Sequence, residues 1–292
     1  MRSIDHCVLV AKELPDARER YRRMGFTVAP DGVHPFGTHN ANMYFRSGPM
    51  IETLAIADRT KYLEALEAGN TFVRNDAAFR GAHGDDGFSQ IVATSTDADR
   101  DHLAFLERGV SGGAPVAFSR KFERPDGGLE RLAVKLAFAI PPQATSGYFF
   151  VCENVVTPEI DRSSLLDHEN GATGARSVIS CTRTPSAYLD FYSDLFGSAA
   201  VVAGDNAVDC ALPNGRVSIA TPEGLARDFG VEEPQADADL RHRGVIFGVP
   251  DLSRTEALFT RNQVSFKQLR DRLITPPASE RGFFFGFEQA PV

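Results

Sequence analysis

The sequence predicts an α+β fold built from four successive βαβββ modules, and three observations predict it. An apolar, β-branched segment typical of a buried strand occurs four times, in residues 4–11, 88–95, 177–182 and 244–249. A helical pattern follows each of these segments, and three of the four helices stop at a glycine. A late strand-like segment then closes each module. Strand, helix and stop signals therefore recur together, as in an internal repeat.

The first module shows these signals most clearly. Residues 4–11 (IDHCVLVA) form the first strand, and the short segments 26–29, 42–46 and 50–57 suit the strands of a meander. Between them, Gly25 ends a helix that starts near Pro15, where a missing N–H costs nothing. One stripe of this helix is apolar: Leu14, Ala17, Tyr21 and Met24.

The other three modules repeat this order with different residues. The predicted helices are residues 97–108, 186–196 and 252–262, and the late strands are residues 148–152, 216–220 and 283–287. The second and fourth modules even end alike, as GYFFVCEN and GFFFGFEQ.

The modules divide the chain into two pairs. We expect an amino-terminal pair in residues 1–156 and a carboxy-terminal pair in residues 175–292. The turn-rich stretch 157–174, which contains HENGATG, is the predicted linker. His168 in that stretch is interpreted as a turn residue.

Composition limits the possible partners. The 292 residues carry 31 Lys plus Arg against 39 Asp plus Glu, a formal charge of −8. This balance argues against nucleic-acid binding, which needs clustered cations. No apolar run is long enough for a membrane span, so we expect a cytoplasmic protein. Its modules could pair within a monomer or across a homodimer. The four cysteines show no CxxC spacing, so neither a zinc site nor a disulfide framework is indicated.

A short motif narrows the interpretation. Residues 34–40 read His-Pro-Phe-Gly-Thr-His-Asn, and His6 lies in the first strand. With the repeated modules, these features resemble the vicinal oxygen chelate superfamily, and more narrowly its glyoxalase-like proteins. The resemblance implies that paired modules form curved mixed sheets, two cups in all. It also implies a divalent metal (Mn, Fe, Co, Ni or Zn), held by the first strand of each module and by a carboxylate on a last strand.

The helices allow the modules to be aligned. Tyr21 and Phe105 are 84 residues apart, and the same shift carries His6 to Gln90. Aligning Tyr21 with Tyr192 and with Phe259 gives shifts of 171 and 238 residues. These shifts carry His6 to Ser177 and Gly244 in the last two modules. The amino-terminal pair therefore offers His6 and Gln90 as metal ligands, whereas the carboxy-terminal pair is expected to bind no metal.

Two glutamates are candidates for the carboxylate roles. Glu52 lies in the apolar strand MIETLAIA, where a buried charge must be paired or ligated. The alternative is an edge Glu that faces water while Thr53 turns inward. Glu153 is the candidate catalytic base, provided that it points into the cup. Because Glu288 recurs at the same place in the fourth module, a structural role for Glu153 stays open.

The motif and one basic segment supply candidate substrate contacts. Thr38, His39 and Asn40 follow Gly37, which would let the loop approach a ligand closely. Metal ligation by His34 and His39 is the weaker interpretation, because loop spacing fixes no common face. Arg120 could bind an anionic substrate, although a solvated turn explains it equally well.

The ligand set indicates a class of chemistry. His, Gln and Glu resemble the glyoxalase I set, whereas an extradiol dioxygenase would need a second His. We therefore expect a metal-dependent lyase or isomerase that acts on a small substrate with adjacent oxygens through an enediolate-type intermediate. The alternative is a metal-free protein that binds or sequesters a small molecule on the same fold.

Overall fold

The computed structural model describes residues 1–123, 129–142, 144, 147–197, 199–203, 207–233, 239–278 and 282–290. It has the predicted α+β architecture, with helices packed on a large mixed sheet. No helix in these ranges is long and apolar enough to cross a membrane.

The elements of the amino-terminal half are β1 Ile4–Val10, α1 Leu14–Arg23, β2 Gly32–Val33, β3 Thr38–Met43, β4 Met50–Ile56, α2 Arg59–Glu67, α3 Thr71–His83, β5 Gly87–Ser95, α4 Ala98–Glu107, β6 Val116–Glu123, β7 Leu129–Ala139 and β8 Tyr148–Val156. Those of the carboxy-terminal half are β9 Gly174–Cys181, α5 Leu189–Phe196, β10 Ala200–Ala203, β11 Ala207–Leu212, β12 Gly215–Ala220, α6 Pro222–Phe229, β13 Arg241–Val249, α7 Leu252–Arg261, β14 Lys267–Leu269, β15 Arg272–Thr275 and β16 Phe284–Gln289.

The strand pairing follows one rule in all four units. The first strand lies parallel to the last strand of the same unit, so β1 pairs with β4, β5 with β8, β9 with β12 and β13 with β16. The units then join in twos through antiparallel first strands, β1 with β5 and β9 with β13. The sheets of the two halves meet where β5 and β13 pair antiparallel, with Phe88 opposite His242.

The main core lies on the helix side of the sheet and spans both halves. Its fully buried members include Cys7, Phe149, Tyr192, Val245 and Phe285. Because odd and even positions of a strand face opposite sides, the residues between these core positions face the cups.

Two helices that the sequence analysis did not predict, α2 and α3, lie between β4 and β5. Asp58 and Asn70 cap them, because each side chain accepts a bond from a backbone N–H in the first turn. Tyr62 and Phe72 pack into the apolar cluster of the amino-terminal cup. Arg80 anchors α3 through the carbonyl of Leu54, 3.1 Å away. These helices therefore contribute to the wall of the cup.

The predicted linker is held between the two halves. His168 accepts a hydrogen bond from the Thr27 N–H at Nδ1 (3.0 Å), and its Nε2 lies 2.9 Å from the Tyr44 carbonyl. Asn170 is fully buried, and its carbonyl accepts the Thr255 hydroxyl at 2.7 Å. The stretch thus connects α1 to α7, and His168 has a structural role outside the cup.

Candidate metal and substrate site

The first strands place two predicted ligands side by side. In the β1–β5 pair, Val8 lies opposite Gln90 and His6 lies opposite Val92. Directly opposed residues share a face, so His6 and Gln90 are diagonal neighbours on the cup side. The register is two-fold symmetric about the Cys7–Ile91 pair and reproduces the 84-residue shift between the modules.

Glu52 completes this arrangement from the other side of β1. It lies opposite Val8 in the β1–β4 pair, so Glu52, Val8 and Gln90 form one row across the floor of the cup. Its neighbour Thr53 faces the helices and bonds the Tyr21 hydroxyl at 3.1 Å. Of the two orientations considered for Glu52, the structure therefore has the inward one.

His6 and Glu52 form a buried pair. The Nε2 atom of His6 lies 3.3 Å from Oε2 of Glu52, and its Nδ1 lies 2.6 Å from Oδ1 of Asp5. Burial disfavours the charged imidazole, but the hydrogen bonds and charges of Asp5 and Glu52 outweigh it and raise the pKa of His6 to about 9. Burial likewise opposes the Glu52 carboxylate, yet His6, His34 and Asn40 hold its pKa at about 2.

Gln90 has no such partner. Only 1% of the residue is exposed, and both its Oε1 and Nε2 are buried without a hydrogen bond. A buried amide in this state costs free energy. A bound ligand or ion is one kind of group that would satisfy the Gln90 amide.

The geometry of these residues fits a metal ion. Two ligand atoms about 2.1 Å from a metal, at an angle of about 90–105°, lie roughly 3.0–3.3 Å apart, and His6 Nε2 and Glu52 Oε2 have that spacing. Asp5 on Nδ1 is the carboxylate partner that metal-bound histidines usually have. Within the described ranges, no group of three or more His, Cys, Asp or Glu is arranged to hold a metal. Gln90, which the strand register puts in one row with Glu52, offers an amide oxygen, a donor of another type.

The position in the second unit that corresponds to Glu52 in the first holds an aromatic residue. Phe150 lies opposite Val92 as Glu52 lies opposite Val8, and its ring centroid is 5.5 Å from that of His6. Glu153 lies on the other face of β8, where it accepts the Ala98 N–H at 2.9 Å, at the start of α4. We therefore correct the assignment of Glu153 as a base in the cup, because it interacts with a helix N-terminus instead.

The HPFGTHN segment contributes alternate residues. Thr38 and Asn40 face the cup, and the Asn40 amide donates to Oε1 of Glu52. His39 faces away, with its Nδ1 4.0 Å from Asp31, so it is not brought to the site as predicted. Gly37 has a different role from the one expected. A Cβ there would lie 2.5 Å from the Asp58 carbonyl oxygen, so the glycine accommodates the start of α2.

His34 is a cup residue that the sequence analysis did not bring to the site. It is buried, its Nδ1 lies 2.9 Å from the Thr38 hydroxyl, and its Nε2 lies 3.8 Å from Oε1 of Glu52. Burial lowers the pKa of His34 to about 4 despite the nearby Glu52 charge, so the ring is neutral at pH 7. The constrained Pro-Phe-Gly turn after it was the available signal.

Arg120 lies at the rim, on β6. Its position in the β6–β7 pair puts it on the same face as Phe118, whose ring packs on that of His34 at 5.4 Å. Its Nη1 lies against Gly32 of β2. The guanidinium therefore reaches from the wall built by the second unit to the wall built by the first.

The equivalent positions of the carboxy-terminal half carry weak or no ligands. By register they are Ser177, Ser218, Gly244 and Gly286. Phe284 covers Gly244, where an added Cβ would lie 2.3 Å from its ring. Leu225 and Phe229 of α6 pack into the same apolar cluster. Large apolar side chains thus occupy this cup.

Comparison with known proteins agrees with the fold. The family model described as "Glyoxalase-like domain" matches residues 4–196, more than half of the chain. No curated protein gave a significant match.

Three solved structures share the architecture at low sequence identity. A hypothetical protein from Staphylococcus aureus has a TM-score of 0.64 at 15% identity, covering 99% of this chain and 100% of its own. A mutant 4-hydroxymandelate synthase from Streptomyces coelicolor has a TM-score of 0.61 at 11% identity, covering 100% and 94%. A catechol 2,3-dioxygenase has a TM-score of 0.56 at 14% identity, covering 99% and 87%. At these identities the likeness extends to the fold alone.

Proposed function

Because the chain belongs to the glyoxalase-like domain family, we propose that its amino-terminal cup binds one divalent metal through His6, Glu52 and Gln90. We further propose that the protein is a metal-dependent lyase or isomerase for a small substrate with adjacent oxygens. The observation that carries the proposal is the fully buried Gln90 amide, which has no partner and lies beside the His6–Glu52 pair. A bound metal would satisfy its oxygen.

The three ligands differ in type, and their chemistry limits the metal. One imidazole, one carboxylate and one amide oxygen suit Mn, Fe, Co, Ni or Zn. When bound, such an ion supplies Lewis acidity that favours negative charge on a chelated oxygen. Phe150, at the position that corresponds to Glu52, provides no ligand atom, which leaves coordination positions for substrate.

The remaining polar residues of the cup would orient the ligands and move a proton. Asn40 holds one oxygen of Glu52, and Asp5 orients the His6 ring. We assign the base role to Nε2 of His34, in the tautomer whose Nδ1–H donates to the Thr38 hydroxyl. A neutral imidazole is the protonation state that a proton acceptor needs. Phe36 and Phe118 pack on this ring and limit the access of water.

A second candidate function is metal-free binding of a small molecule. The observation in its favour is that protonated His6 already neutralises Glu52, as their opposite pKa shifts indicate. In that case the cup would need no ion to keep its carboxylate buried.

Elemental analysis of untagged protein separates the two candidates. The wild type, His6→Ala and Glu52→Ala are purified, soaked with Mn, Ni and Zn, and desalted, with Glu153→Gln as a matched carboxylate control outside the cup. A metalloenzyme retains close to one metal per chain in the wild type and the control, and loses it in both cup variants. An absence of metal from the soaked wild type would refute the metal site and favour the binding protein.

A further inference from the structure

Arg120 has an unusual environment for a cation. Its Nη1 is buried and makes no hydrogen bond, and within the described ranges no carboxylate forms an ion pair with the side chain. The residue as a whole is half-buried, and a buried N–H group without a partner costs free energy. Its neighbour Lys121 is exposed and occupies the opposite face of β6, so the chain directs one guanidinium, and no second cation from this strand, toward the cup.

The cup leaves space for this guanidinium. A Cβ added to Gly32 would lie 2.1 Å from Nη1 of Arg120 and 2.4 Å from Oδ1 of Asn40. Only glycine therefore permits the present position of the arginine. The amide of Asn40 also relates it to the metal ligands, because the oxygen of this amide faces the Arg120 side and its nitrogen bonds Glu52.

We propose that Arg120 anchors a carboxylate group of the substrate, so that the cup accepts small carboxylic acids that also carry adjacent oxygens. This proposal rests on the proposed function in taking the cup as the substrate site. A planar guanidinium binds carboxylates through two parallel hydrogen bonds. The Asn40 amide would separate the substrate carboxylate from Glu52. The carboxylate would thus lie at the opposite end of the substrate from the chelating oxygens.

The surroundings favour a carboxylate over a phosphate. One unpaired guanidinium balances a single negative charge, whereas a phosphate carries about −1.5 to −2 at pH 7. The aromatic rings of Phe36 and Phe118 line the same wall. These rings provide no positive charge to balance a second negative charge on the ligand.

Binding of glycolate, a singly charged carboxylate with an adjacent hydroxyl, tests the proposal without requiring a metal or a known reaction. The protein is stripped of metal, the chelator is dialysed away, and glycolate affinity is measured by calorimetry and by thermal shift. Glycolamide is the uncharged comparison, and inorganic phosphate is the competing anion. We expect glycolate to bind, glycolamide to bind at least tenfold more weakly, and phosphate to compete poorly.

Three variants assign the binding to Arg120. Arg120→Met should weaken glycolate binding at least tenfold. Gly32→Ala should weaken it as well, because the new methyl group displaces the guanidinium while its charge remains. Lys121→Met removes the same charge one residue away and should bind glycolate like the wild type.

The outcomes separate this proposal from the metal site. Glycolate binding by Arg120→Met equal to that of the wild type, or an equal loss in Lys121→Met, would overturn the carboxylate anchor even if the wild type retains metal. Competition by phosphate at or below the glycolate concentration would overturn the choice of a carboxylate. If the wild type retains no metal in the elemental analysis but its glycolate binding depends on Arg120, the anchor is supported and the metalloenzyme is refuted.

Discussion

Replacing Gln90 by Met should make the metal-free protein more stable and greatly reduce its stabilisation by metal. Met is close to Gln in length and shape, packs well in irregular spaces, and its thioether is a poor ligand for Mn²⁺. The substitution removes two buried polar atoms that have no partner among the residues the structure describes, and it leaves His6 and Glu52 in place.

The size of the effect follows from the burial of the amide. Leaving a buried polar group unsatisfied costs about 1–3 kcal/mol, and the residue is only 1% exposed. We therefore expect Gln90→Met to raise the free energy of unfolding of the metal-free protein by about 1–3 kcal/mol. Each kcal/mol corresponds to a rise in Tm of roughly 2–4 °C for a chain of this size class.

Bound metal should stabilise the wild type more than Gln90→Met and so offset the difference between the two metal-free proteins. An ion at a free concentration of 100 times its Kd stabilises the folded state by about 2.7 kcal/mol. The wild type should gain this amount when Mn²⁺ or Ni²⁺ is added, and Gln90→Met should gain much less. The measurement is urea unfolding and thermal melting of both proteins, with and without metal.

The control is Gln268→Met, on the exposed strand β14. Its stability should stay within about 0.5 kcal/mol of the wild type, as is usual for surface substitutions. A metal-free Gln90→Met protein that is less stable than the wild type would refute the view of Gln90 as an unsatisfied amide. An undiminished response to metal in this variant would refute its role as a ligand.

Three further substitutions test the site and its surroundings. Asp5→Asn should lower metal affinity about 10–100-fold by removing the partner of the His6 ring, measured by chelator competition. Glu153→Gln should leave metal uptake unchanged and cost about 0.3–1 kcal/mol at the start of α4, measured by urea unfolding. Burial lowers the pKa of His242 to about 4, whereas the unfolded value is about 6.5. The unfolded chain therefore takes up a proton first as the pH falls from 6.5 to 4, and stability declines by up to about 3 kcal/mol. His242→Gln should show a smaller decline between pH 7 and 4.5, and an equal decline would contradict the assignment.

The repeated order of strand and helix, and the residues His6, Glu52 and Gln90 of the cup, could be predicted from the sequence. Helix patterns and glycine stops are local signals, and aligning the helices related His6 to Gln90. The β1–β5 register shows the same 84-residue relation. Glu52 was recognisable because a lone carboxylate in an apolar strand needs a partner.

Glu153 shows where counting along the chain fails. Glu52 lies four residues after Gly48, and the same count from Gly147 reaches Val151. By register, however, the equivalent of Glu52 is Phe150, only three residues after Gly147. A one-residue offset moves a strand residue to the opposite face, so both Val151 and Glu153 face the helices.

The sequence by itself determined the repeated order of first strand, helix and last strand in the four units, and which residues alternate along each strand, because these properties depend on near neighbours in the chain. Only the tertiary structure decided which face of β3 and β8 points inward, since that depends on the strands and helices packed beside them. It also placed α3 against the cup and Arg120 against Gly32. Those contacts join residues that lie far apart in sequence, and no local pattern specifies them.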